Sequence, residues 1–175
     1  MKFLFACGGT AGHINPALAI ANELCRMMPD TKILFVGAEN AMEKELVPKA
    51  GYELVNIRMS GLKRGFYPGD LIYNAKTLRN LVLAGSKTSE IIQGFAPDAV
   101  IGTGGYICYP VLRKAAHMGI PTIVHESNAV PGLTTKLLST IVDRVLVSFP
   151  GLENTYRRPE RVVFTGTPVR GGFNL

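Results

Sequence analysis

No apolar run in this 175-residue sequence approaches the roughly 20 residues that cross a bilayer, and the apolar stretch between Met1 and Cys7 is too short for a secretory leader. A cytoplasmic location is therefore expected. Cysteine is scarce. Cys7, Cys25 and Cys108 are odd in number, widely separated and without paired ligand spacing, which argues against a disulfide framework or a zinc site and for buried thiols. Helix-turn-helix, zinc-finger and RNA-binding signatures are lacking and Arg and Lys are scattered, so nucleic acid is the least supported partner. The chain also has no repeat, no low-complexity tract, no long linker and no clustered set of acidic residues.

What is present fits one domain with a sizeable core: 47% of residues are hydrophobic and 18% charged. A formal charge of +6 favours anionic partners, either phosphates or an acidic membrane surface. Short apolar runs alternate with amphipathic stretches, the pattern of βα units around a parallel sheet. Strands are expected at Lys2 to Ala6, Lys32 to Val36, Glu53 to Ile57, Ala99 to Ile101, Pro121 to Val124, Arg144 to Ser148 and Arg161 to Phe164. Between them, helices are expected from Pro16 at the first helical position with Asn15 as N-cap, over Met42 to Ala50, Asp70 to about Gln93, Pro110 to Met118 and Gly132 to Ser139. The expected fold is α/β, a Rossmann-like doubly wound parallel sheet.

In such sheets ligands bind beyond the carboxyl ends of the strands. Segments rich in glycine or polar groups stand at those ends: Gly8 to His13, Gly102 to Tyr106, His125 to Asn128 and Thr165 to Arg170. All should open onto one edge. Glycines in the first loop let the backbone turn and approach a ligand, and a following helix aims its amides back at an anion. The loop is neither Gly-x-Gly-x-x-Gly nor a P-loop, and a tight structural turn would use the same glycines.

Gly104 and Gly105 precede a helix and suit a second phosphate or a packing turn. His13 suits a general base, a phosphate contact or a structural hydrogen bond. His125 and Glu126 suit an acid–base pair or a buried tie between loops, and His117 a solvated surface. Glu39, beyond the second strand, could hold a ribose in a nicotinamide dinucleotide site, though an exposed acid at a helix start is commoner. Arg170 could reach phosphate or a second domain, whereas Arg157, Arg158 and Arg161 read as a solvated basic edge.

The passage from Leu62 to Lys87 is unlike the rest. Lys63, Arg64, Lys76, Arg79 and Lys87 accompany a single acid, Asp70. Leu62 leads into it, and Phe66, Tyr67, Tyr73, Leu81 and Leu83 lie off the helical stripe of Leu71, Ala75, Leu78 and Val82. A core needs only the stripe. Surplus apolar side chains among basic ones suit an element lying on an anionic membrane, and equally an amphipathic helix under a loop.

Gly8 to His13, Gly102 to Tyr106 with Pro110, the run His125 to Lys136 and Thr165 to Arg170 together resemble, in order and spacing, the amino-terminal domain of the peptidoglycan N-acetylglucosaminyltransferases of glycosyltransferase family 28. Departures are small: Ala11 where glycine is frequent, Ser127 where Gln is common and Thr167 where Asn is common. The resemblance implies half of a GT-B fold, with residues 1–175 forming the acceptor-side and membrane-docking domain and the donor-binding domain outside this chain. It implies inverting transfer of N-acetylglucosamine from UDP-N-acetylglucosamine to an undecaprenyl-pyrophosphate-linked N-acetylmuramoyl-pentapeptide. The enzyme would sit peripherally on the cytoplasmic side of the plasma membrane.

By the same resemblance the loops at Gly8 to Gly12 and Gly102 to Gly105 become candidates for the acceptor pyrophosphate. Thr10, Ala11, Gly12, Asn128 and Arg170 match donor-contacting positions. His13 is the leading candidate for the base, with Glu126 second, holding His13 or a sugar hydroxyl. No cofactor or metal is implied, because such enzymes steady the leaving diphosphate with helix dipoles and amides. A noncatalytic membrane-recruited subunit of a split glycosyltransferase and a nicotinamide-dependent oxidoreductase domain are the competing readings.

Overall fold

Phe3 to Ala6 carries apolar side chains on both faces, as a strand buried between two helical layers must. The computed structural model describes residues 1–39, 41–59 and 85–169. Its strands are β1 (Lys2–Ala6), β2 (Lys32–Ala38), β3 (Glu53–Ile57), β4 (Ala99–Gly102), β5 (Thr122–Glu126), β6 (Arg144–Val147) and β7 (Val162–Phe164). All pair in parallel in the order β3-β2-β1-β4-β5-β6-β7. The helices are α1 (Ala11–Met27), α2 (Glu43–Lys49), α3 (helical over 85–95), α4 (Cys108–His117) and α5 (Leu133–Leu138).

Alternation along β1 divides the core in two. Phe3 and Phe5 join Ile14, Leu18, Phe35 and Val47 under α1 and α2, while Leu4 and Ala6 join Ile92, Val111, Leu112 and Leu138 under α3, α4 and α5. Helices thus cover both faces of the sheet. The strand order reverses between β1 and β4, so the loops leaving these neighbouring strands flank the switch point where such sheets bind ligands.

Two expectations are corrected. α1 begins at Ala11 with Thr10 as its N-cap, so Asn15 is not a cap and Pro16 lies inside the helix. The first turn is closed by the N–H groups of His13 and Ile14, both donating to Thr10 O at 3.0 and 3.2 Å, which brings the helix start up against the glycine loop. β5 runs on through His125 and Glu126, so both are buried strand residues rather than loop residues. Pro110 is the third residue of α4, in the first turn where a missing N–H leaves no helical bond unmade.

The long helix expected from Asp70 is represented by 85–95, its earlier part lying outside the described residues. Leu62, Lys63, Arg64, Phe66, Tyr67, Tyr73, Lys76, Arg79, Leu81, Leu83 and Arg170 also lie outside them. Among the described residues, no helix is long and apolar enough to cross a membrane.

Candidate active site

Gly9 takes a left-handed conformation, φ +90°, that turns the chain out of β1 and into α1. His13 folds back over this turn. Its Nδ1 lies 3.0 Å from Gly8 O and 3.3 Å from Thr10 Oγ1. A carbonyl oxygen only accepts, so Nδ1 carries a proton and donates to Gly8 O, which makes Nε2 the bare nitrogen of the neutral ring. The Thr10 side chain turns to the imidazole instead of capping α1. Ala11 and Gly12 supply the first N–H groups of the helix, which point back toward the loop.

The second loop locks onto the first. Thr103 Oγ1 donates to His13 O at 2.7 Å, and Gly104 and Gly105 have φ of +116° and +86°. A Cβ at Gly104 would run into the His13 ring, and one at Gly105 into Gly8 O. Both glycines are thus required for contact between the loops as well as for backbone conformation. Below them Cys108 Sγ donates to Ala6 O and Gly104 O, both at 3.0 Å. Burial pushes its thiol up to about 12, and burial with the nearby Cys108 and Glu43 raises that of Cys7, so neither is a nucleophile near neutral pH.

His125 and Glu126 tie loops together. His125 Nε2 donates to Gly166 O at 3.1 Å and its Nδ1 accepts from Ser127 Oγ at 3.4 Å. Burial pushes its imidazole below the ordinary value, partly offset by the Gly166 bond and Glu126. Glu126 Oε1 accepts from the backbone N–H and Nδ2 of Asn128 at 3.0 and 2.8 Å, and Oε2 from the Gly132 N–H at 3.0 Å. Burial would raise this carboxyl, but bonds from Thr135, Asn128 and Gly132 outweigh it and hold it low. Both oxygens are committed to its own loop, so the expectation that Glu126 holds His13 is corrected. The exposed Asn128 has its amide fixed by that carboxylate.

At the open side Ala11, Gly12, Asn15, Pro16, Ser127, Thr167, Pro168 and Val169 line a hollow of about 460 Å³. The first, third and fourth loops meet there. Glu39 instead stands half-buried, its carboxylate 3.4 Å from Arg58 Nε. Arg161 is not an ordinary solvated residue either: its guanidinium donates to Val142 O at 2.6 Å. His117 is exposed and its Nδ1 bonds Arg113 O. The acid that composition did not single out is Glu43, fully buried beneath the first loop.

The model of the glycosyltransferase family 28 N-terminal domain matches residues 3–147. The chain belongs to glycosyltransferase family 28. It is 46% identical over 170 residues, 97% of its length, to a UDP-N-acetylglucosamine--N-acetylmuramyl-(pentapeptide) pyrophosphoryl-undecaprenol N-acetylglucosamine transferase of Acetivibrio thermocellus, and 48% identical over the same share to one of Caldanaerobacter subterraneus subsp. tengcongensis. It spans about half the length of these curated relatives, 45% and 46%. The crystal structure of MurG from Acinetobacter baumannii superposes with a TM-score of 0.78 at 24% identity, covering 95% of this chain and 46% of that one. A UDP-GlcNAc 2-epimerase from Neisseria meningitidis follows at 0.66 and 15%, covering 96% and 47%. These likenesses show the fold, a Rossmann-like sheet of the GT-B type. Family membership displaces the nicotinamide-dependent reading, whose ribose-binding candidate Glu39 faces Arg58.

Proposed function

We propose that this chain is the acceptor-side domain of an inverting N-acetylglucosaminyltransferase that moves N-acetylglucosamine from UDP-N-acetylglucosamine to undecaprenyl-pyrophosphate-linked N-acetylmuramoyl-pentapeptide. One observation carries the reading: His13, its Nδ1 bonded to Gly8 O, stands where the two glycine loops interlock at the switch point of the sheet. The names of the curated relatives supply the substrates.

His13 Nε2 takes the proton from the acceptor 4-hydroxyl as its oxygen bonds to the anomeric carbon of the donor sugar. The bond from that carbon to the diphosphate breaks on the opposite face, inverting the configuration and releasing UDP. N–H groups at the start of α1 and in the loop after β4 offset phosphate charge. The Asn128 amide, held by Glu126, serves the donor together with Arg170, a residue outside those described, while most of the donor's contacts come from a second domain outside this chain. The basic and apolar passage from Leu62 to Lys87 seats the domain on the anionic cytoplasmic face of the plasma membrane.

The test compares this 175-residue chain alone with a longer protein in which it is joined to a carboxyl-terminal donor-binding domain, using radiolabelled UDP-N-acetylglucosamine and the lipid-linked acceptor. The longer protein forms the disaccharide-lipid product and the chain alone forms none. Transfer by the chain alone, or none by the longer protein, contradicts the reading.

A further inference from the structure

Glu43, the first residue of α2, is a fully buried acid that takes no part in the ion pairs found among the described residues, Arg26–Glu23, Arg58–Glu39 and Lys87–Glu90. A buried carboxylate without a cation is sustained only by hydrogen bonds. It has two. Oε1 accepts from the Ala38 N–H at the end of β2 at 2.8 Å, and Oε2 from the Gly9 N–H at 3.1 Å. Glycine makes the room, since a Cβ at Gly8 or Gly37 would collide with the Glu43 side chain.

The Gly9 N–H belongs to the same peptide unit as Gly8 O, and Gly8 O accepts from His13 Nδ1. One planar amide is therefore gripped at both ends, by a carboxylate on its N–H and by an imidazole on its oxygen. Hydrogen bonds in series polarise one another, so the carboxylate makes Gly8 O a stronger acceptor for Nδ1–H. Thr10 Oγ1 supplies a second, longer contact to the same nitrogen.

We infer that Glu43 is a positioning residue for His13. Acting through the Gly8–Gly9 peptide, it fills the place that a directly bonded aspartate fills in a hydrolase triad. It holds the ring in the tautomer with Nε2 bare and supports the imidazolium once Nε2 has taken the acceptor's proton. The catalytic half of this statement rests on the proposed role of His13; the hydrogen-bond series does not.

Long-range nitrogen NMR of the His13 ring in this chain, with no substrate present, reads the tautomer. The wild type shows the neutral ring protonated at Nδ1. Glu43→Gln keeps the size of the side chain but replaces one acceptor oxygen with a donor, and it shifts the ring toward the Nε2–H form. In the longer protein the same variant lowers kcat by about tenfold or more and leaves KM for both substrates within about twofold. A wild-type ring protonated at Nε2 overturns the inference without recourse to any variant, which decides the matter even if Glu43→Gln does not fold. A folded Glu43→Gln with unchanged tautomer and kcat also overturns it. A longer protein that transfers nothing defeats the proposed function while leaving the tautomer measurement to judge the series.

Discussion

The ring of His13 occupies the space in which Gly104 would carry a side chain: a Cβ there would come within 2.9 Å of Nε2, the nitrogen left bare by the Nδ1 bond to Gly8. The second glycine loop therefore shapes the environment of the candidate base directly.

Gly104→Ala and Gly105→Ala separate these duties. Each forces a side chain onto a left-handed backbone, costing about 1–3 kcal/mol. In a chain of this size each kcal/mol is worth roughly 2–4 °C in Tm. At Gly104 the obstacle is an imidazole that can swing aside, so the fold survives and transfer by the longer protein falls by about tenfold or more. At Gly105 the obstacle is the Gly8 backbone carbonyl, so this variant loses more thermal stability. Equal melting temperatures with full activity in both would contradict the interlock.

Glu126→Gln distinguishes a loop-holder from a base. The amide retains one acceptor but sets a donor against a backbone N–H, loosening Asn128 or Gly132. The donor KM should rise several-fold while kcat stays within about threefold, the signature of lost binding rather than lost chemistry. A kcat loss of about 100-fold would return Glu126 to the role of base.

His125 should give the fold a pH dependence. Burial lowers its imidazole below 6.5, so the folded chain binds fewer protons than the unfolded one just below that value. Stability is fully present above pH 6.5 and declines as the pH falls below it toward the folded-state value. Thermal melts from pH 7.5 to 5 should show this decline in the wild type, and a flatter profile for His125→Gln over the upper part of that range. Parallel profiles would show that another group carries the dependence.

The Leu62 to Lys87 passage predicts salt-sensitive binding to anionic vesicles in a sedimentation assay. Replacing Lys63, Arg64, Lys76 and Arg79 with Gln should abolish the preference for anionic over neutral vesicles. Equal binding to both by the wild type, or none to either, would remove the docking role from this passage.

Much of the fold was legible because periodicity is local. β1 and β3 occupy the spans that their apolar runs predict, and the parallel sheet follows from the βα alternation. The start of α1 was not legible. Asn15-Pro16 carries a strong local start signal, but the glycine loop ends at Thr10 and the helix begins there, with Pro16 accommodated inside. Glu43 was hidden for a different reason: an acid at a helix start is ordinarily solvated, and only the proximity of Gly8, Gly9 and Gly37 from separate segments shows it to be enclosed. His125 and Glu126 carried the right residue types for acid–base work, yet strand pairing buries both and hydrogen bonds commit them to holding loops.

The central claim is that His13 takes the acceptor proton, and kcat of His13→Ala in the longer protein tests it most directly. With folding checked by thermal melting, kcat should fall by about 100-fold or more, the usual scale for loss of a general base. A near-normal kcat would contradict the assignment and the mechanism built on it.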